Sequence, residues 1–408
     1  MNSHHCCVIG LGYIGLPTAA IIASHGHRVT GYDINPDILA KIAKGQIHIN
    51  EPDLEILVSE EVHGGRLRVS PDIVPADVFI IAVPTPFKDS KQGIPQPDLK
   101  HVLSAAKSIA TVIKPGNLVI LESTSPVGTT SLISSILTDC SGLSLQDFRL
   151  AYCPERVLPG NIVKELVMND RVIGGMDLAS TQFCRDFYAS FCKGHLLTTD
   201  SKTAELVKLA ENSFRDVNVA FANELSIVCS QFGIDVLELV HLANYHPRVN
   251  ILSPGCGVGG HCIAVDPWFI AASAPSITPL IQTARRVNNY KKDWVVTQIV
   301  SFASKLESQD GVRPIIGCLG LSYKPDVADL RESPAVDIVF ELTRLGYRVL
   351  ACEPNISSHP TINLCSEEEL ASKSDLIVLL VNHSAFTKTA FTGKPVFDPC
   401  GVMSKQLS

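Results

Sequence analysis

Short apolar runs alternate with stretches of helical periodicity through the first half of the chain. Cys6–Gly10, Arg28–Tyr32, Val78–Val83 and Leu118–Leu121 are short, β-rich and bounded by turn-forming residues, so each reads as a buried strand. Leu16–His25 reads as a helix between the first two. Strands alternating with helices predict a parallel sheet with crossover helices. Pro84–Pro86, Gly93–Pro97 and Ser125–Gly128 fall just after strands, where doubly wound sheets bind ligands. From Ser201 to about Phe232 there is neither glycine nor proline, and apolar residues recur at Leu206, Leu209, Phe214, Val217, Phe221 and Leu225. The spacing predicts one long helix, read either as a core-spanning connector or as one that also lines a site and a dimer interface. A second α/β region follows: strand Pro314–Cys318, turn Gly320–Tyr323, helix Ala335–Leu345, and strands Arg348–Ala351 and Leu376–Val381. The two regions are alike in architecture without an obvious sequence repeat.

Composition narrows the classes. With 408 residues, 46% hydrophobic and 18% charged, the chain is globular, with room for several domains at roughly 100–200 residues each. Lys and Arg number 34 against 41 Asp and Glu, a net charge of −7, so no nucleic-acid face is expected and an anionic ligand needs local positive groups. The 13 cysteines are scattered, with no CxxC pair or zinc spacing, which fits reduced thiols in a cytoplasm and no bound metal. Cys6–Ser24 is uncharged, but it lacks a basic lead and carries three glycines and Pro17. It reads as strand, turn and helix, so neither a targeting sequence nor a membrane span is expected.

Gly10-Leu11-Gly12-Tyr13-Ile14-Gly15 follows an apolar strand and opens a helix, and Asp33 ends the next strand. Glycines let backbone approach a pyrophosphate at a helix N-terminus, and the carboxylate then meets the adenosine ribose. Asp33 would repel a 2′-phosphate, which favours NAD over NADP. Thr85 and Thr124 follow strands and offer hydroxyls beside the nicotinamide half, or simply cap. Gly255-Cys256-Gly257-Val258-Gly259-Gly260-His261-Cys262 places a thiol at the end of a glycine-rich loop. Cys262 is the cysteine whose surroundings suit a nucleophile; the bland reading is a buried small residue. Asp266 is a candidate carboxylate for a proton or a water. Lys208 and Asn212 are spaced i, i+4 on the long helix and can converge on one oxygen, although a surface lysine beside an amide has the same spacing. Arg215, Arg248, Lys324 and Arg331 make a credible set for a diphosphate.

These residues together resemble the UDP-glucose/GDP-mannose dehydrogenase family, which oxidises the C6 alcohol of a nucleotide sugar to a carboxylate with two NAD. The resemblance covers nearly the whole chain, in order: the Gly10–Pro17 loop, Tyr152-Cys153-Pro154-Glu155-Arg156, Lys208–Asn212, Gly257–Cys262, Tyr323-Lys324-Pro325 and Leu330–Pro334. It implies an α/β fold of two Rossmann-like doubly wound parallel-sheet domains joined by a long central helix and a helical dimerisation region. The implied division is an NAD-binding domain at 1–198, a central domain with the catalytic loop at 199–300 and a UDP-sugar-binding domain at 301–408. UDP-glucose and GDP-mannose members usually carry GGSC and then a lysine before the aspartate. Gly259-Gly260-His261-Cys262-Ile263-Ala264-Val265-Asp266 departs from that and implies the branch acting on N-acetylhexosamines. The runs Cys153–Gly160, Glu211–Asn218 and His246–Ile251 resemble enzymes of UDP-N-acetyl-D-mannosamine, with those of UDP-N-acetyl-D-glucosamine as runner-up.

By that resemblance Cys262 attacks the aldehyde left by a first hydride transfer, because the carbon must become tetrahedral before it can lose a second hydride. Lys208 is the acid–base and, with Asn212, stabilises the oxyanion; Glu155, Asp266 and Thr124 orient or activate water. Arg156, Val157, Lys208, Asn212, Arg215, His246, Arg248, Gly259, Tyr323 and Lys324 hold the substrate, Arg248 across the interface of a homodimer. Gly10, Gly12, Tyr13, Ile14, Gly15, Asp33, Thr85, Thr124 and Arg331 hold NAD. The product would feed a surface polysaccharide. One departure concerns the C-terminus, where members tend to carry D-x-(K/R)-G and this chain has Asp398-Pro399-Cys400-Gly401, which predicts a weaker hold on UDP or a substitute contact. A single-hydride dehydrogenase would not need Cys262. A non-catalytic NAD-binding protein would not need Lys208, Asn212, Cys262 and Asp266 together.

Overall fold

The apolar runs are too short to be helices and too uniformly apolar to carry a solvated face, so they become strands covered on both sides. The computed structural model describes residues 3–49, 51–88, 93–307, 311–388, 391 and 393–399. One sheet holds β1 (His5–Ile9), β2 (Arg28–Tyr32), β3 (Leu67–Ser70), β4 (Val78–Ile81), β5 (Leu118–Leu121), β6 (Arg149–Tyr152), β7 (Arg171–Gly175) and β8 (Leu196–Asp200). Their order is β8-β7-β6-β5-β4-β1-β2-β3. Strands β1 to β6 are parallel, in the order expected of a dinucleotide-binding sheet. β7 departs from the expected direction by pairing antiparallel with β6, and β8 runs parallel to β7. Alternation along the central strands sends Val8, Ile80 and Ile120 to one core and Ile9, Ile81 and Leu121 to the other.

The chain forms two compact units, residues 1–211 with 268–275 and residues 212–267 with 276–408. In the second, helix Pro279–Ser304 precedes β9 (Ile316–Leu319), β10 (Val349–Cys352), β11 (Leu376–Leu379) and β12 (Val396–Phe397). These form an all-parallel sheet in the order β10-β9-β11-β12. Among the described residues, no helix is long and apolar enough to cross a membrane.

The long helix spans Ser201–Phe232, as its lack of glycine and proline predicts. Its burial departs from the pattern of large apolar residues. Of those used to predict it only Leu209 is fully buried, while Leu206, Phe214 and Phe221 are 45%, 70% and 53% exposed. The covered face mixes the small or apolar Ala204, Leu209, Ala220, Ala222 and Cys229 with the polar Ser201, Glu205, Lys208, Asn212, Asp216, Asn223 and Ser226. Buried polar groups need partners, and each compact unit supplies them from remote segments. In the first, the Glu205 carboxylate accepts from Gly128 N (2.6 Å), Thr130 N (2.7 Å) and Thr130 Oγ1 (2.6 Å). In the second, Asp216 accepts from Arg285 (2.6 Å) and Asn288 (2.7 Å), and Lys291 donates to Ser226 (2.7 Å).

Glu205→Ala leaves the two backbone N–H groups at the start of helix Thr129–Ser141 without their acceptor. It should therefore cost about 2–3 kcal/mol, read as a lower urea midpoint at unchanged slope. An unchanged midpoint would show that this carboxylate is dispensable.

Candidate active site

The first glycine turn is built by exclusion. Gly10 has φ +91°, and a Cβ there would lie 2.8 Å from the Ala82 carbonyl oxygen; one on Gly15 would lie 1.8 Å from that of Gly10. Neither position can carry a side chain. A Cβ on Gly12 meets nothing within 4 Å, so that side of the turn is open for a ligand. Helix Gly15–Ser24 starts there without a side-chain cap, which leaves first-turn amides for an anion. Asp33, at the end of β2, is tied to the turn: its carboxylate accepts from Leu11 N (2.8 Å) and Asn35 N (2.9 Å). The residues present fit NAD. Tyr13 and Ile14 are half-buried on the same turn, and Thr85 Oγ1 donates to the Thr124 carbonyl (2.6 Å), joining the loops after β4 and β5.

The segment after β6 carries Glu155, Arg156 and Val157. Glu155 is buried, and its carboxylate lies 3.2 Å from Arg171 of β7. The same guanidinium stands 3.8 Å from Glu122 and 4.7 Å over the Tyr188 ring, whose hydroxyl donates to Glu122 (2.7 Å). Sequence reading passed over Glu122, Arg171 and Tyr188; an arginine in an otherwise apolar strand was the available signal. Burial pushes the Glu122 carboxyl up to about 7, against the opposing pull of Arg171. The Arg156 guanidinium forks onto Glu211 (3.1 and 2.6 Å) and also donates to the Asp170 carbonyl (3.1 Å). The structure thus gives this expected substrate ligand protein partners of its own. Val157 is half-buried against the core, and Lys208 is 9% exposed.

In the second unit Asn212 donates to Asp266 at 2.6 Å with both side chains buried, so the structure brings these two expected residues together. The Cys262 carbonyl accepts from Val265 N (3.0 Å) and Asp266 N (2.9 Å), and the exposed Cys262 thereby opens the turn into helix Asp266–Ser273. The preceding glycines allow close packing: a Cβ on Gly259 would lie 2.3 Å from the Glu332 carbonyl oxygen, and one on Gly260 2.8 Å from the Tyr323 ring. Gly260 N also donates to the Arg331 carbonyl (3.1 Å). Beside this loop opens a cavity of about 410 Å³ lined by Pro254, Cys256, Gly257, Tyr323, Lys324 and Asn382. The Arg331 guanidinium forks onto Asp329 at 2.6–3.0 Å. Burial first, and then Arg331, lower the pKa of His261. Arg215, His246 and Arg248 are exposed. Cys400 lies outside the described residues.

Local geometry shows a likeness between the two sheets that the sequence does not. Gly320 N donates to the Cys352 carbonyl at 2.8 Å, as Gly10 N does to that of Tyr32. The Glu353 carboxylate accepts from Leu321 N (2.8 Å) and Asn355 N (3.0 Å), as that of Asp33 does from Leu11 and Asn35. The difference is His383, whose Nε2 lies 3.0 Å from Glu353 with both side chains fully buried. Although burial opposes it, His383 and the backbone N–H groups hold the Glu353 carboxyl down at about 2.

Residues 4–192 match the NAD binding domain of the UDP-glucose/GDP-mannose dehydrogenase family, residues 202–290 its central domain and residues 317–405 its UDP binding domain. The UDP-N-acetyl-D-mannosamine dehydrogenase of Campylobacter jejuni is 50% identical over 396 residues, covering 93% of this chain and 95% of that one. The NDP-N-acetyl-D-galactosaminuronic acid dehydrogenase of Ralstonia solanacearum is 49% identical over 395 residues, covering 93% and 91%. Among solved structures, the UDP-N-acetyl-D-mannosamine dehydrogenase of Pyrococcus horikoshii superposes with a TM-score of 0.89 at 38% identity, covering 97% of this chain and 94% of that one.

The raised Glu122 pKa has a signed consequence. Between about 4.5 and 7 the native carboxyl keeps a proton that the unfolded chain has lost, so this group's contribution to stability falls as pH rises through that window and is flat above it. Glu122→Gln should remove this component. The melting temperature of the parent relative to the variant should decline from pH 4.5 to 7 and then level, whereas a constant difference would show an ordinary carboxyl.

Proposed function

The chain belongs to the UDP-glucose/GDP-mannose dehydrogenase family, and on that premise we propose that it oxidises the C6 alcohol of UDP-N-acetyl-D-mannosamine to the carboxylate through a thioester on Cys262. The observation that carries the reading is the buried Asn212–Asp266 pair at the turn that Cys262 opens. In this reading residues 1–198 hold NAD, 199–300 bring the catalytic loop and 301–408 hold the nucleotide.

Two NAD, bound one after the other, would each supply an acceptor for one of the two hydrides that leave C6. Lys208 takes the hydroxyl proton as the first departs, which yields the aldehyde. The Cys262 sulfur adds to that carbon, and the new oxyanion is met by Lys208 and Asn212. Loss of the second hydride restores the carbonyl as a thioester. Water, giving up a proton to one of the candidate groups Glu155, Asp266 and Thr124, then adds to the carbonyl, the C–S bond breaks and the sulfur leaves as thiolate. Arg171 supports this by holding the Glu155 carboxyl in place at 3.2 Å. Arg156, Val157, Arg215, His246, Arg248, Gly259, Tyr323 and Lys324 contact the nucleotide sugar, and Arg331 the cofactor. A cytoplasmic site and a surface polysaccharide as the destination of the product complete the reading.

A second reading, the galactosamine epimer, is favoured by the Ralstonia relative, whose identity to this chain is within one per cent of the Campylobacter one. NADH counted per limiting sugar, with the UDP-linked mannosamine, galactosamine and glucosamine N-acetyl sugars in parallel, decides between them. Two NADH from the mannosamine substrate alone is the expected outcome. Cys262→Ala should form no acid while still binding NAD, and normal turnover in that variant would remove the covalent step.

The exposed apolar residues of the long helix support a homodimer. Leu206, Phe214, Phe221, Val228 and Phe232 fall on one stripe at helical spacing, away from the covered polar face. Sedimentation should give a dimer that Phe221→Asp shifts toward monomer, and a monomeric parent would refute the assignment.

A further inference from the structure

We infer that Asn223 and Asn288 are positioning residues, forming with Asp216 a directed amide relay that fixes the root of the Cys262 loop. Gly255 N donates to Asn223 Oδ1 (2.9 Å), and Asn223 Nδ2 donates to Asn288 Oδ1 (2.9 Å). Asn288 Nδ2 donates to Asp216 Oδ1 (2.7 Å), which also accepts from Arg285 Nη1 (2.6 Å). Asp216 and Asn223 are fully buried, and Asn288 and Arg285 are 1% and 3% exposed.

The direction of the relay follows from its charged end. An ionised carboxylate only accepts, so the amide NH₂ of Asn288 must face Asp216 and its oxygen must face Asn223. Two amide oxygens cannot meet, so Asn223 turns its NH₂ to Asn288 and its oxygen outward, where it takes the Gly255 N–H. The carboxylate of Asp216 and its backbone carbonyl, which accepts from the same Asn288 Nδ2 at 3.1 Å, together decide how an amide two side chains away grips the loop. Gly257 adds a second contact, since a Cβ there would lie 3.2 Å from the Asn288 carbonyl oxygen.

Cys256 Sγ ties the loop to the Leu380 carbonyl (3.3 Å), and because the glycines around it offer no side chains the rest of the hold falls to backbone contacts such as that of Gly255. Asn212 and Asn223 lie about three turns apart on the same helix and so share a face. Asn212 holds Asp266 beyond Cys262, and Asn223 holds Gly255 before it. One helix face thus clamps both ends of the segment that presents the thiol.

The inference rests on the proposed role of Cys262, but its test has a readout that needs no substrate. Asn288→Asp sets a second carboxylate against Asp216 and removes the donor between them. Amide hydrogen exchange in the 255–260 segment should then quicken at least tenfold while the sheet strands keep their protection. The turnover number should fall at least tenfold with NAD affinity unchanged. Adding Asp216→Asn returns a donor to the pair, so the double variant should recover both slow exchange and turnover. If Asn288→Asp does not fold, Asn223→Leu cuts only the last link and should quicken exchange in the same segment. Unchanged exchange there in a folded variant, or failure of the second substitution to rescue the first, would overturn the relay. Altered exchange in a chain inactive on all three sugars would instead keep the relay and discard the substrate assignment.

Discussion

A long helix whose covered face carries buried carboxylates and amides, while its phenylalanines face outward, is the constraint on which the rest depends. Apolar contacts tolerate sliding, whereas a buried carboxylate or amide is stable only with its partners at hydrogen-bond distance. Glu205 meets its own at 128–130, Asp216 at 285–288 and Asn212 at 266. Each bond fixes the register and rotation of the helix against the segment that carries the chemistry. Such precision suits a site in which one group must meet successive forms of a single carbon.

The same economy shows in the two glycine turns. In each sheet the carboxylate ending the second strand accepts from the backbone of the turn and from an asparagine two residues on. Asp33 remains half-buried, where a ribose can share it, while His383 seals Glu353 inside. One architecture thus builds both turns, with the acid half-buried at Asp33 and fully enclosed at Glu353.

Around Glu155 the structure adds a buried cluster of charged groups. Arg171 stands between two buried carboxylates and stacks on Tyr188, so Glu155 has a fixed cationic neighbour while Glu122, pushed up by burial, lies behind it. A solvated pair would leave Glu155 mobile and screened. Here its position is set by the strand that carries Arg171.

Strands β1, β2, β4 and β5, the long helix, both glycine turns and the family motifs were legible in the sequence, because each depends on residues within a few positions of one another; β3, β6, β8 and the reversed β7 were not. Gly10, Gly15 and Asp33 were legible since backbone approach to a ligand demands those residue types at that spacing. The Lys208/Asn212 and Cys262/Asp266 spacings are each local, but the Asn212–Asp266 bond that joins them spans 54 residues and is visible only in the fold. The buried face of the long helix was not legible, since apolar periodicity marks the core only where the core is apolar, and here Phe214 and Phe221 face outward while Asp216 and Asn223 are covered. Arg285, Asn288 and His383 were equally silent. Each is an ordinary polar residue in the sequence and takes its role from a partner tens of residues away, a pairing that only the tertiary fold creates.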